Sequence, residues 1–305
     1  MNWEGKPMKD LITTEVGMRD GLQMESRFVP TNEKIEIGLG LIGAGLRRIE
    51  ATSFVSPKAV PQLVDAAEVI GALRGRGATL AALVPNLRGA ERALEAGVDE
   101  LVMFISASEE HNRRNVNRSI AESLETIAPV AQAVAGSGRG LRAAVSTAFG
   151  CPWQGDVTPE EVARVIEGFA AQGVRAVTLG DTTGMATPPI VRRLCDKLAD
   201  WFPEVELTLH FHNTRGIGLV NVMAGLDAGI VRYESALGGL GGCPFAKGAT
   251  GNICTEDLVY MAGEMGLKTG VDLSSLIALA QRMQAILGHD LPGQVMKAGP
   301  RLVAA

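Results

Sequence analysis

Short apolar runs alternate along the chain with longer stretches in which apolar residues recur at helical spacing. The runs occupy 11–16, 47–51, 79–84, 100–105, 141–146, 174–179, 205–211 and 231–236. They are brief and rich in Val, Ile, Leu and Thr, as buried strands are. Between them lie amphipathic stretches such as 33–45, 61–74 and 159–173, most of which close on glycine, a common helix terminator. Strand alternating with helix predicts a parallel sheet. Eight such units in a chain of 305 residues predict an α/β fold of the (β/α)8 TIM-barrel type. An open doubly wound sheet is the alternative, but no GxGxxG follows the first run.

Past the eighth run the pattern changes. Segment 238–252, GGLGGCPFAKGATGN, is glycine-rich. Then 255–266 reads as a helix opened by a capping pair, Thr255 and Glu256, and 270–290 as a further helix packed on the barrel. The expected organisation is one domain over 1–305, with the barrel at about 10–237 and the loop and additional C-terminal helices at about 238–290. No linker or low-complexity tract divides it.

Composition narrows the class. The chain is 46% hydrophobic, ample for a large core, and its net charge of −5 argues against a nucleic-acid coat or a polybasic membrane anchor. The N-terminus lacks an apolar signal region, and no stretch of 18 apolar residues suggests a membrane span. Four cysteines, Cys151, Cys195, Cys243 and Cys254, show no CxxC spacing. The expectation is a reduced, cytoplasmic chain.

In a TIM barrel, chemistry sits at the C-terminal strand ends. There the sequence delivers Arg19, Asp20 and Gln23 after the first run; Glu50, Thr52 and Ser53 after the second; Asn86 after the third; 106-SASEEHNRRN after the fourth; Ser146 and Thr147 after the fifth; Asp181 after the sixth; and His210 and His212 on the seventh. Positions i and i+2 of a strand share a face, so the two imidazoles project together. Two histidines, a carboxylate such as Asp20, an amide oxygen and waters suit a six-coordinate divalent cation, Mg²⁺ or Mn²⁺, better than structural zinc. The bland alternative is one core histidine and one solvent-facing one. The basic run Arg113–Arg114, with Arg118, reads as a solvated face or as a contact for CoA phosphates, and Cys151, Cys195 and Cys254 as packing residues.

Five segments together carry a resemblance: 15-EVGMRDGLQ-23, 49-IEATSFVSPKAVPQ-62, 179-LGDTTG-184, 210-HFHNTRG-216 and 238-GGLGGCPFAKGATGN-252. In this order they resemble the 3-hydroxy-3-methylglutaryl-CoA (HMG-CoA) lyases of the DRE-TIM metallolyases, over about residues 10–290. The resemblance implies a TIM barrel, a divalent cation and retro-Claisen cleavage of an acyl-CoA to acetyl-CoA and a keto acid. It implies metal ligands at Asp20, His210, His212 and Asn252. Arg19 would stabilise the departing enolate, Glu50 would organise Arg19, and Asp181 would lie near metal and substrate. Cys243 would ride on the loop that covers the substrate and donate or relay a proton. Gln23, Ser53 and Arg215 are the further substrate-binding candidates.

The cleavage needs a base for the C3 hydroxyl proton, and Asp20, Asp181 and His212 with a metal-bound water all remain candidates. The chain departs from the family pattern at Asn213, Arg215 and Ile217, where Asp, Tyr and Gln are usual, and at Met18 and Met24. These changes leave the ligands and alter their neighbours, so a related substrate such as citramalyl-CoA, or an HMG-CoA with a longer 3-substituent, is the alternative. Other readings are a condensing synthase, disfavoured because the chain ends soon after the barrel, and a non-catalytic CoA-binding protein. A homodimer is expected from an apolar helix face near 270–287 that reads as exposed.

Overall fold

A computed structural model of the chain describes residues 10–242 and 251–302. Eight strands, β1 (Ile12–Glu15), β2 (Arg48–Ser53), β3 (Thr79–Leu83), β4 (Glu100–Ser106), β5 (Gly140–Ser146), β6 (Ala176–Asp181), β7 (Glu206–Phe211) and β8 (Arg232–Ser235), close into a barrel in sequence order. Every neighbouring pair is parallel, including β1 with β8. The TIM barrel expected from the alternation is therefore the observed fold, and each expected run falls on a strand.

The physical basis is plain along β4. Leu101, Met103 and Ile105 point outward and are buried beneath the helical layer. The alternate positions line the lumen. Turn chemistry sets the helix starts: Asn86, Ser108, Ser119, Thr158 and Asp272 each accept a hydrogen bond from the backbone amide three residues on. At Thr158 the cap is reciprocal, because Glu161 reaches back to the Thr158 amide.

The lumen holds an ionic layer. Arg142 on β5 contacts Glu100 on β4 (Nε to Oε2, 3.0 Å), Glu50 on β2 (Nη2 to Oε2, 3.2 Å), Thr178 on β6 (Nη1 to Oγ1, 2.7 Å) and Glu234 on β8. All are buried or nearly so, which fixes the inward parity of the strands.

Two expectations about the C-terminal helices are corrected. Thr255 and Glu256 do not form a capping pair. The helix Thr255–Glu264 starts after Cys254 without a side-chain cap, and both residues are buried. Thr255 donates instead to Glu15 Oε2 at 2.6 Å, because the helix start packs under the barrel rim, where an inward hydroxyl finds the β1 carboxylate. The apolar face of the helix Leu273–Leu287 is not exposed either. Leu276, Ala280, Met283 and Leu287 are buried, and Leu279 lies against Gly40 of the helix Thr31–Gly43. That face is covered by the protein's own barrel and offers no argument for a second copy. Among the described residues, no helix is long and apolar enough to cross a membrane.

Candidate metal centre

The chain leaves β1 through Val16 and turns at once into a tight π-type turn, Gly17–Gly21. Glycine is required at position 17, where a Cβ would come within 2.6 Å of Glu15 Oε1. The turn directs Asp20 inward across the barrel mouth to His210 and His212 at the end of β7. Ligand atoms of these three buried residues lie within 4.8 Å of one another, and the imidazole centroids are 5.1 Å apart. Asn252 joins them through an antiparallel bridge to His212, and its Nδ2 donates to Asp20 Oδ2 (2.8 Å) and to the Leu240 carbonyl (2.9 Å). Its Oδ1 is buried with no hydrogen-bond partner.

An orphaned buried acceptor is costly unless something binds it. Here it sits beside a carboxylate and two imidazoles, a donor set that fits a divalent cation. Burial raises the Asp20 carboxyl, but the Arg19 guanidinium and the two histidines outweigh it and hold the group below its usual value. Burial, reinforced by neighbouring His210, lowers His212 to about 4, so its lone pair is available at neutral pH. His210 Nδ1 lies 2.9 Å from Glu234 Oε2, the pairing that orients a metal-bound imidazole through its second nitrogen.

Arg19 is tied on both sides. Nη1 bonds Asp20 Oδ1 at 2.7 Å, and Nε bonds Glu50 Oε1. Glu50 Oε2 in turn meets Arg142, so the guanidinium is anchored to the ionic layer below. The Arg19–Asp20 pair is thus a buried element of the barrel mouth.

The other expected site residues are placed as follows. The Gln23 amide donates to Asp20 Oδ1 at 3.0 Å. Ser53, at the end of β2, is buried with an unpartnered hydroxyl. Asp181 ends β6 and holds the following turn, its Oδ1 accepting from the Met185 (2.7 Å) and Ala186 (2.9 Å) amides. Its Oδ2 is buried without a partner, and burial pushes the carboxyl up to about 7. Arg215 is exposed on the loop after β7 and donates to the carbonyls of Thr183 and Gly184 in the β6 loop. Cys243 lies outside the described residues, but Gly241, two positions earlier, lies against Asn252 and Asp20. Cys151, Cys195 and Cys254 are buried and unpaired. Arg113 and Arg114 pair with Glu109 and Glu110 one helical turn away on an exposed face.

The model of the HMGL-like family matches residues 10–283, most of the chain. The chain belongs to the HMGL-like family. One relative, the 3-hydroxy-3-isohexenylglutaryl-CoA/hydroxy-methylglutaryl-CoA lyase of Pseudomonas aeruginosa, is 44% identical over 95% of this chain and 97% of its own. Another, the (R)-citramalyl-CoA lyase of Chloroflexus aurantiacus, is 41% identical over 96% of each. A solved HMG-CoA lyase from Acinetobacter baumannii, in complex with coenzyme A and 3-methylmalate, superposes with a TM-score of 0.92 at 46% identity, covering 97% of each chain.

In this HMGL-like chain, sequence reasoning missed Glu234, Arg142, Glu100 and Thr178. The available signal was a charged residue in the middle of an otherwise buried strand, as in 141-LRAAVS and 231-VRYESA. Thr147, one of the residues expected at the end of β5, is a β-branched residue at φ +55° and fully buried. Its amide donates to Thr182 Oγ1 at 2.9 Å and so ties the β5 loop to the β6 loop, holding a backbone conformation that β-branched residues rarely adopt.

Proposed function

We propose that this HMGL-like protein is a divalent-metal-dependent carbon–carbon lyase that cleaves 3-hydroxy-3-methylglutaryl-CoA to acetyl-CoA and acetoacetate. The observation that carries the reading is Arg19, a fixed cation bonded to the same carboxylate that completes the Asp20–His210–His212 group. An enolate-stabilising charge and a ligand set are thereby built into one turn.

Asp20, His210, His212 and the Asn252 oxygen would hold Mg²⁺ or Mn²⁺. The bound cation would supply Lewis acidity at the substrate hydroxyl and a carboxylate oxygen. Arg19, locked by Glu50, aims its charge at the thioester oxygen as the C2–C3 electrons fall into the enolate. Asp181 is the proposed acceptor of the hydroxyl proton. Burial leaves it near pKa 7, matched to neutral pH, whereas Asp20 is held low and makes a weak base. Cys243 is the proposed donor to the enolate carbon, on the segment that leaves Gly241 beside the ligands. Gln23 and Ser53 line the approach, and Arg215 braces the β6 loop that carries Asp181.

The similarity to the citramalyl-CoA lyase favours one alternative substrate. A coupled assay of acetyl-CoA release, with Mg²⁺, Mn²⁺ or EDTA, compares HMG-CoA with both enantiomers of citramalyl-CoA. Metal-dependent release from HMG-CoA is expected. Release from citramalyl-CoA alone replaces the substrate while keeping the chemistry. No release from either, with acyl-CoA binding unaffected by EDTA, would leave a CoA-binding protein.

A further inference from the structure

The lumen above the ionic layer is not filled. Parity fixed by Arg142, Glu100, Glu50 and Thr178 turns Leu83, Phe104, Ala144, Ser146 and Gly180 inward. Each of the five is partly exposed, while their outward neighbours Met103, Ile105, Ala143, Val145 and Leu179 are buried. In an ordinary TIM barrel these inward positions would carry large branched residues packed in layers. Here the wall on β3–β6 is apolar apart from Ser146, is small at Ala144, Ser146 and Gly180, and faces a space across from the proposed ligands on β1 and β7.

Gly180 is the informative position. It pairs in register with His210, so it stands beside a proposed ligand. Its φ is not in the left-handed region, and the nearest atoms a Cβ there would meet are Val145 O at 3.4 Å, Thr182 Oγ1 at 3.5 Å and the Ser146 Cα at 3.7 Å, ordinary contacts. Neither backbone geometry nor the protein's own packing demands glycine. By contrast Gly184, four residues on, has φ +64° and a Cβ there would strike Thr214 at 2.6 Å. What Gly180 leaves is room.

The substrate supplies the occupant, and this step rests on the lyase reading above. Carbon 3 bears four groups. On that reading the hydroxyl and the carboxylate arm would face Asp20, His210 and His212, and the thioester arm would pass Arg19 toward the mouth. The remaining alkyl substituent is apolar, and the one apolar wall left to it is that of β3–β6. We propose that Leu83, Phe104, Ala144 and Gly180 form the subsite for the 3-alkyl substituent, and that the absent side chain at Gly180 lets the enzyme accept substituents longer than methyl.

The test measures kcat/KM for HMG-CoA and for its 3-propyl congener, 3-hydroxy-3-propylglutaryl-CoA, in the metal-loaded enzyme. The wild type is expected to cleave both. Gly180→Ala, whose added methyl meets no protein clash, is expected to lower the propyl-to-methyl ratio about tenfold or more, the usual discrimination of a pocket narrowed by one carbon. Phe104→Leu, which shortens the side chain on β4 of the same wall, is expected to raise it, with thermal melting confirming that each variant is folded. Wild-type cleavage of HMG-CoA alone, or ratios that stay within about twofold in both variants, overturns the inference and leaves the lyase reading standing. No cleavage of either substrate by the wild type overturns the lyase reading and this inference with it.

Discussion

At the scale of single residues, the centre is a set of groups whose ordinary behaviour is displaced by burial and then restored or exploited by a neighbour. Asp20 stays ionised because Arg19 and the histidines offset the burial that opposes its charge. Replacing Asp20 by Asn should abolish metal uptake, read by calorimetry, and activity with it. Arg19→Met should lower kcat by about 10²–10³ and leave KM nearly unchanged, as loss of a transition-state charge does. Glu234→Gln keeps the shape but weakens the orientation of His210, so metal affinity should fall about 10–100-fold. Asp181→Asn retains an oxygen for the Met185 and Ala186 amides while losing the base. The wild-type kcat should rise as pH climbs through about 7, where Asp181 ionises, and the variant should lose that limb of the profile. An unchanged limb would assign the base elsewhere.

At the scale of elements, charged side chains inside the barrel and carboxylates beneath the loops matter most. Arg142 joins β2, β4, β6 and β8 in one network. Arg142→Ala would remove the guanidinium that Glu50, Glu100 and Glu234 share and should cost about 3–5 kcal/mol in a urea titration. Glu15 accepts from the Gly17 and Leu237 amides, and Glu256 from Gly238, so both tie the loop after β8 to its base. Burial raises Glu15 to about 7 and Glu256 to about 8. Their folded values lie above the ordinary glutamate value of 4.5, so the stability they contribute is complete below pH 4.5 and is lost as pH rises through about 7 to 8. Urea midpoints of the metal-depleted protein should therefore fall between pH 5 and 8.5, and Glu256→Gln should flatten that fall. Among the helices, Leu276 is fully buried in the face of Leu273–Leu287, and Leu276→Ala should cost about 2–5 kcal/mol.

For the whole molecule, closure of the barrel brings residues 20, 181, 210 and 252 to one mouth and residues 50, 142 and 234 to the ionic layer beneath it, although they are far apart in sequence. The sequence by itself determined the strand–helix alternation, because burial on both sides of a parallel strand demands a continuous apolar run, and amphipathic helices demand their own period. It also exposed the candidate ligand set, because His210 and His212 share a face by strand parity alone and the surrounding motifs resemble a family. Only the tertiary structure decided three things. Arg142 and Glu234 each stand as a charge inside an apolar run, but only closure points them at each other. Thr255 and Glu256 have the composition of a helix cap, yet Thr255 turns inward to Glu15 and Glu256 accepts from the Gly238 amide, and tertiary burial overrides a local preference worth about 1 kcal/mol. The helix at 273–287 shows an apolar stripe, but a stripe does not state what covers it. Period and parity are properties of a segment and can be read from it. Partners are properties of distance in space, and they exist only once the eighth strand has paired with the first.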